Sequence, residues 1–396
     1  MQRREFLQVS AAALAVGALR HSSPAQTAPA AARKLKVDAY SRHLQWLRTA
    51  DEVAEAAVEM AYDGVDITVR PYPGHVDPEK VATDLPPFVN TIRKHGLQVV
   101  TITCPITDAD SPNAERILQT ASSLGIQHYW WGTFRYEQGK PEMEQLDALK
   151  PRVAKLAALN AKYKMTAMYH TYSGSGTIGS AIWDMLYVLK NFDPAQVGFH
   201  YDFGHMTNAG GNGTWAVNLR AAGPYIAGVS VKDSIFELNL PVEQGGPFTG
   251  NPSQLAGRGG GGPGGGGPPP AGAMPANPGA APGAGRGSAG PAEAGGRGGR
   301  GRGGPGVSGG RGGGGQANPW RVRQVPLGEG MDDLPQLATI LKEIGFEGSL
   351  EVQAEYPNGG AENAQDKITL PRAIVLGAMK RDLLALRAAF APSGLL

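Results

Sequence analysis

Short apolar runs alternate along this chain with longer stretches in which apolar residues recur every three or four positions. The short runs read as strands: Leu35–Tyr40, Gly64–Val69, Leu97–Thr103, Gln127–Gly132, Met165–His170, Gln196–Asp202, Ile226–Lys232 and Gly348–Glu355. Helical patterns lie between them. Asp51–Tyr62 opens on an Asp cap and repeats Val53, Ala56, Ala57 and Met60 along one face. Asn113–Leu124 stops at Gly125, and Met143–Tyr163, Ile178–Phe192, Asp332–Ile344 and Ile368–Phe390 complete the set. Eight strands alternating with helices imply a parallel sheet built by right-handed crossovers. Eight such units close into a single (β/α)8 TIM barrel, an α/β fold whose chemistry sits where the strands end. An open doubly wound sheet is the competing arrangement, but no G-x-G-x-x-G follows the first strand and no P-loop occurs.

Composition sets the boundaries. The chain has 396 residues, of which 57 are Gly and 31 Pro. Residues 251–319 hold about half of the glycines and cannot bury a core. They read as a disordered Gly/Pro/Arg-rich insertion between strand 7 and helix 7, solvating itself at the barrel mouth. Its arginines invite an RNA-binding reading, but the segment has no aromatic residue on which a base could stack. At the other end, Arg3 and Arg4 precede Phe6 and Leu7, followed by an Ala-rich apolar run too short to span a bilayer. This reads as a twin-arginine signal, to be excluded from the fold. The organisation is therefore residues 1–34 as signal and linker, 35–250 as strands 1–7, 251–319 as insertion, and 320–396 as strand 8 with a C-terminal helix. A periplasmic or exported product, handled by the twin-arginine export machinery, is expected.

With 37 basic against 35 acidic residues, charge gives no case for nucleic-acid binding. A single cysteine, Cys104, excludes an intramolecular disulfide framework, cysteine zinc fingers and iron–sulfur clusters, and is most simply a small buried hydrophobe. No segment beyond the signal reads as membrane-spanning, so no membrane partner is expected once the signal is removed.

The chemistry collects at the strand ends, where six of the eight histidines lie. Asp202-Phe-Gly-His205 leaves strand six, so a carboxylate and an imidazole enter one mouth together, a pair suited to a divalent metal. Tyr169-His170 ends the neighbouring strand. On strand eight, alternation puts Glu351, Gln353 and Glu355 on one face, with Glu355 nearest the mouth. Lys232 faces the same way as Ser230 and brings positive charge. Glu351 is expected to pair inside the barrel with Arg70 or another base. His43, Arg70, His75, Trp131, Arg135, His200 and Asp233 are expected to line the substrate.

These residues carry a resemblance. Tyr169-His170-x-x-x-Gly174, Tyr201-Asp-Phe-Gly-His205, Val231-Lys-Asp233, Pro326-Leu-Gly-Glu-Gly330 and Gly345-Phe-Glu-Gly-x-Leu350 leading to Glu355-Tyr356 resemble the xylose isomerase-like barrel superfamily. The sugar phosphate isomerase/epimerase branch is the most similar. The resemblance covers about residues 36–245 and 320–390. It implies one divalent metal ion (Mn, Zn, Co or Mg) and isomerisation or epimerisation of a small carbohydrate through an enediolate-type intermediate. It implies His170, Asp202, His205 and Glu355 as metal ligands, and Glu355, His205 and Lys232 as catalytic groups. Two departures stand out: His170 falls where many members carry a glutamate, and Ser230 where many carry a histidine. The same apparatus would serve a lyase or hydratase acting on keto-glycosides. A non-catalytic periplasmic sugar-binding barrel is a third reading. The apurinic-site endonuclease branch shares the barrel but needs more His and Glu ligands than this chain offers.

Overall fold

The computed structural model describes residues 34–238 and 320–396, positions 358 and 362 excepted. The expected signal and the Gly-rich insertion lie outside the described residues. The chain divides into two units, residues up to 235 together with 324–396, and residues 236–323.

The first unit is the expected barrel. Its strands are β1 (Val37–Tyr40), β2 (Gly64–Thr68), β3 (Thr101–Thr103), β4 (His128–Trp131), β5 (Thr166–His170), β6 (Val197–Asp202), β7 (Ile226–Val231) and β10 (Ser349–Val352). They close in sequence order, β10 pairing with β7 on one side and β1 on the other, and every pair is parallel. The connections carry α1 (Ala50–Met60), α2 (Val81–Lys94), α3 (Ala114–Ser123), α4 (Glu142–Tyr163), α5 (Trp183–Leu189), α6 (Phe203–Gly210), α7 (Trp215–Ala222), α8 (Leu334–Glu343) and α9 (Arg372–Phe390). Three of these, α2, α6 and α7, have no counterpart in the sequence pattern. Helix α1 begins earlier than its pattern, because Thr49 and not Asp51 is the cap. The Thr49 hydroxyl accepts from Glu52 N at 3.2 Å and the Glu52 carboxylate accepts from Thr49 N at 2.9 Å.

In the second unit the described residues belong to β8 (Asp233–Leu238) and β9 (Trp320–Val325), which form a two-stranded ribbon absent from the sequence reading. There the buried Glu237 accepts from Arg321 Nε at 2.6 Å and from Arg323 Nε at 2.9 Å.

Apolar side chains of the barrel strands point outward to the helices, as Val37, Ala39, Val65, Ile67, Val229 and Val231 do. Inside the barrel the apolar cluster is small, consisting of Tyr40, Trp130 and Met168. The rest of the interior is polar: Asp38, Asp66, Thr103, His170, His200, Gln353 and Glu351 are all buried. Buried charge demands partners. Glu351 meets Asp66 there and not an arginine, while Gln353 Nε2 donates to its Oε1 at 2.8 Å and Thr103 Oγ1 donates to Asp66 Oδ2 at 2.8 Å. Burial lifts Asp66 to about 7, and burial with the Asp66 charge lifts Glu351 well above the usual carboxyl range.

Burial likewise raises Asp38 from 3.8 to about 7, although Gln98 Nε2 donates to its Oδ1 at 2.8 Å. A carboxyl raised in the native state contributes stability that is complete below its unfolded pKa and is lost as pH climbs through the raised value. Wild-type stability is therefore expected to decline between about pH 5 and 8. In Asp38→Asn the amide oxygen still accepts from Gln98, and the Asp38 share, on the order of 4 kcal/mol at most, should vanish from the slope. Urea midpoints of both proteins across that range test this. Parallel pH profiles would show that Asp38 does not titrate there.

Candidate active site

The site is built at the ends of β5, β6, β7 and β10. Alternation along β6 sends His200 and Asp202 inward together. Asp202 then does two things. Its Oδ1 accepts from His205 N at 2.8 Å, capping α6 and fixing where His205 projects. Its Oδ2 has no aligned hydrogen-bond donor and faces His170 Nε2 at 3.5 Å, His205 Nε2 at 3.8 Å and Lys232 Nζ at 2.8 Å. The last contact is an ion pair without hydrogen-bond alignment.

Lys232 leaves β7 into the centre of this group and is 3% exposed. Its ammonium also donates to His205 Nε2 at 3.1 Å, Gln353 Oε1 at 3.1 Å and Glu355 Oε2 at 3.2 Å. Burial alone would lower its pKa, but Asp202 and Glu355 outweigh burial and hold it above the ordinary lysine range. The lysine stem needs room. A Cβ on Gly204, in the first turn of α6, would stand 2.6 Å from Lys232 Cγ and 3.0 Å from Lys232 O. Glycine at that position lets helix and lysine share the mouth.

The histidines around Asp202 are neutral at working pH. Burial pushes His205 down to about 4 and His200 to about 3, in each case against the pull of Asp202. Burial, then His200 and His205, puts His170 well below its ordinary value. Since Lys232 donates to His205 Nε2, the other ring nitrogen donates to Ser173 Oγ at 2.9 Å. His170 and His200 bond through their Nδ1 atoms at 3.1 Å, leaving His170 Nε2 turned toward Asp202. Trp130 stacks on His170 with ring centroids 4.1 Å apart and on Tyr40 at 4.9 Å.

Glu355, just beyond β10, is the carboxylate that reaches the mouth: its side chain is 23% exposed, against 0% for Asp202. Asn363 Nδ2 donates to its other oxygen at 2.9 Å. Burial would raise its pKa, but Lys232, then His43 and His205, bring it down to about 2.

Of the expected metal ligands, His170, Asp202 and His205 present donor atoms within 4.8 Å of one another. Two imidazole nitrogens and a buried carboxylate oxygen with no aligned donor fit a single divalent ion of the Zn, Mn or Co kind. Glu355 stands outside that set, across the Lys232 ammonium. Among the expected substrate residues, His43 is fully buried and neutral, both ring nitrogens without partners, and lies within electrostatic reach of Glu355 and Lys232. Arg70 is half-buried at the end of β2. The others are placed differently. His200 lies behind His170 and orients it. His75 bonds to Thr68 Oγ1 and to the carbonyls of Leu44 and Leu47, so it ties the first two loops together. Trp131 packs against Phe134 and Tyr169 on the helix side, its Nε1 donating to Thr107 O at 2.8 Å, while Trp130 takes the inward position. Arg135 is exposed and donates to Ser175 O. Asp233 is buried and accepts from Gly328 N, Gly330 N, Asp332 N and Ser234 N, which makes it the clamp of the 326–332 loop. Tyr172, Ser173, Gln353 and Asn363 join the site without having been singled out as site residues in the sequence.

A closed parallel barrel with a histidine–carboxylate–lysine cluster at the C-terminal mouth defines the class of the molecule. The model of the xylose isomerase-like TIM barrel family matches residues 54–253, half of the chain, and the chain belongs to that family. No curated protein matches it. Among solved structures it resembles the IolI protein with a bound zinc atom (TM-score 0.54, 12% identity, 91% of this chain and 99% of that one). It also resembles D-psicose 3-epimerase from Clostridium cellulolyticum H10 with D-tagatose (0.54, 12%, 90% and 99%). A third is the 3-keto-D-glucoside 4-epimerase YcjR from E. coli (0.50, 13%, 90% and 100%). At these identities the likeness is one of fold.

Proposed function

We propose that the protein is an isomerase or epimerase acting on a sugar-like substrate by moving a proton beside a carbonyl. The observation that carries this is the cluster itself: a mouth-facing carboxylate, Glu355, 3.2 Å from a buried ammonium, with the His170–Asp202–His205 donors beside them. His170, Asp202 and His205 would hold a divalent ion, which when bound supplies Lewis-acid polarisation of a substrate oxygen. Glu355 accepts the proton from carbon, since it alone of the cluster's carboxylates is reachable from the mouth. Lys232 places positive charge where negative charge develops on the substrate oxygen. Its grip on Glu355 keeps that group ionised, at the expense of basicity. His43, neutral and with both ring nitrogens unpartnered, can hydrogen-bond hydroxyls.

In Glu355→Gln, turnover on a substrate found by screening ketoses and keto-glycosides is expected to fall about 10²–10⁴-fold with folding intact. Full activity in that variant would overturn the assignment. Product analysis separates epimerisation from elimination.

We also propose that the paired arginines near the N-terminus direct export. Replacing both Arg3 and Arg4 with lysine should retain the protein in the cytoplasm, as read by fractionation; undiminished export would refute it.

A further inference from the structure

Lys232 has more partners than hydrogens to give them. Its ammonium lies 2.8 Å from Asp202 Oδ2, 3.1 Å from His205 Nε2, 3.1 Å from Gln353 Oε1 and 3.2 Å from Glu355 Oε2. Those are four acceptors for three N–H groups. Two of the four, Asp202 and His205, belong also to the candidate metal set. An ion held there takes the same two atoms, because Asp202 Oδ1 is spent on His205 N and His205 Nδ1 on Ser173 Oγ. Glu355 is the group to which the proposed reaction brings a proton. Of the four, Gln353 is the one that neither ion nor proton claims.

The fold holds Gln353 in place for this. It is 3% exposed and points inward on the same face of the chain as Glu351 and Glu355. Its backbone N–H donates to Val231 O at 2.9 Å, which ties the end of β10 to the residue before Lys232. Its Nε2 donates to Glu351 Oε1 at 2.8 Å. A carboxyl oxygen that accepts from the amide nitrogen turns the amide oxygen toward the lysine.

We propose that Gln353 is a positioning residue that keeps the Lys232 ammonium in the mouth when a divalent ion takes Asp202 and His205, so that ion and ammonium serve the substrate together. This rests on the reading of His170, Asp202 and His205 as the ion's ligands. It is tested by ion affinity, so its failure leaves the turnover of Glu355→Gln to judge the reaction.

Zn is titrated calorimetrically into the chelator-treated full chain of the wild type, Gln353→Met and Gln353→Asn. Asp202→Asn identifies the heat that belongs to this site. Methionine keeps the volume and removes the acceptor; asparagine, one methylene shorter, withdraws it. Each should bind Zn about tenfold or more weakly than the wild type, the size of losing one hydrogen bond to a charged group. The reason is a count. Before Zn is added, the ammonium of either variant keeps Asp202, His205 and Glu355, one for each N–H; once the ion claims two of them, only Glu355 is left. In a Lys232→Met background the same substitutions should change Zn affinity by less than about twofold, since no ammonium remains to be held. A purely structural role for Gln353 would weaken Zn binding in both backgrounds. Wild-type affinity in a folded Gln353 variant, an equal loss in the Lys232→Met background, or no Zn heat that Asp202→Asn removes would each overturn the proposal.

Discussion

Replacing Lys232 with methionine is expected to abolish turnover and to destabilise the fold by about 3–5 kcal/mol, the range seen when one partner of a buried ion pair is deleted. The ammonium stands 2.8 Å from Asp202 and 3.2 Å from Glu355, and is itself 3% exposed. Methionine keeps much of the apolar stem that lies against Gly204, so the loss is chiefly that of charge. Asp202 Oδ2 would face two neutral imidazoles with no cation, and Gln353 and His205 would lose a donor. Denaturant midpoints of the two proteins measure the effect. A second readout follows from the same geometry. With the ammonium gone, the His170, Asp202 and His205 donors no longer share their space with a resident charge. Added Zn or Mn should then raise the variant's melting temperature more than that of the wild type. Equal shifts in the two proteins would show that the lysine and the ion do not compete.

Asp202→Asn should leave the barrel folded and the chemistry lost. Asparagine Oδ1 can still accept from His205 N, so the cap of α6 survives. The charge opposite Lys232 does not survive. Turnover is expected to fall about 10²–10³-fold, a size common for the loss of one positioned electrostatic group. The thermal shift given by added Zn should disappear with it. Circular dichroism confirms that the fold is kept. A variant that turns over at the wild-type rate, or still responds to Zn, would remove Asp202 from the site.

The barrel was legible because its strands are short apolar runs separated by stretches of helical periodicity. All eight appear at their places, shortened by one to four residues where pairing ends before hydropathy does. Helix α2 was hidden by Pro86 and Pro87 in its interior, and α6 and α7 by the glycines at 210, 211 and 213. Asp202, His205, His170, Lys232 and Glu355 could be named because strand ends and alternation bring them to one mouth. The adjacent tryptophans show where that logic stops. Inward and outward positions differ by a single residue, and Trp130 and Trp131 are chemically identical, so only the register with β3 and β5 decides that Trp130 enters the barrel. His75 and Asp233 carry reactive side chains but spend them on backbone groups of distant loops, which no local pattern reveals.

The stack of Trp130 on His170 gives the molecule an optical gauge of its own. Whatever adds positive charge to that imidazole, whether a proton or an ion, does so against the face of an excited-state emitter 4.1 Å away. Emission from the buried indole thereby follows the state of the barrel mouth with no added dye.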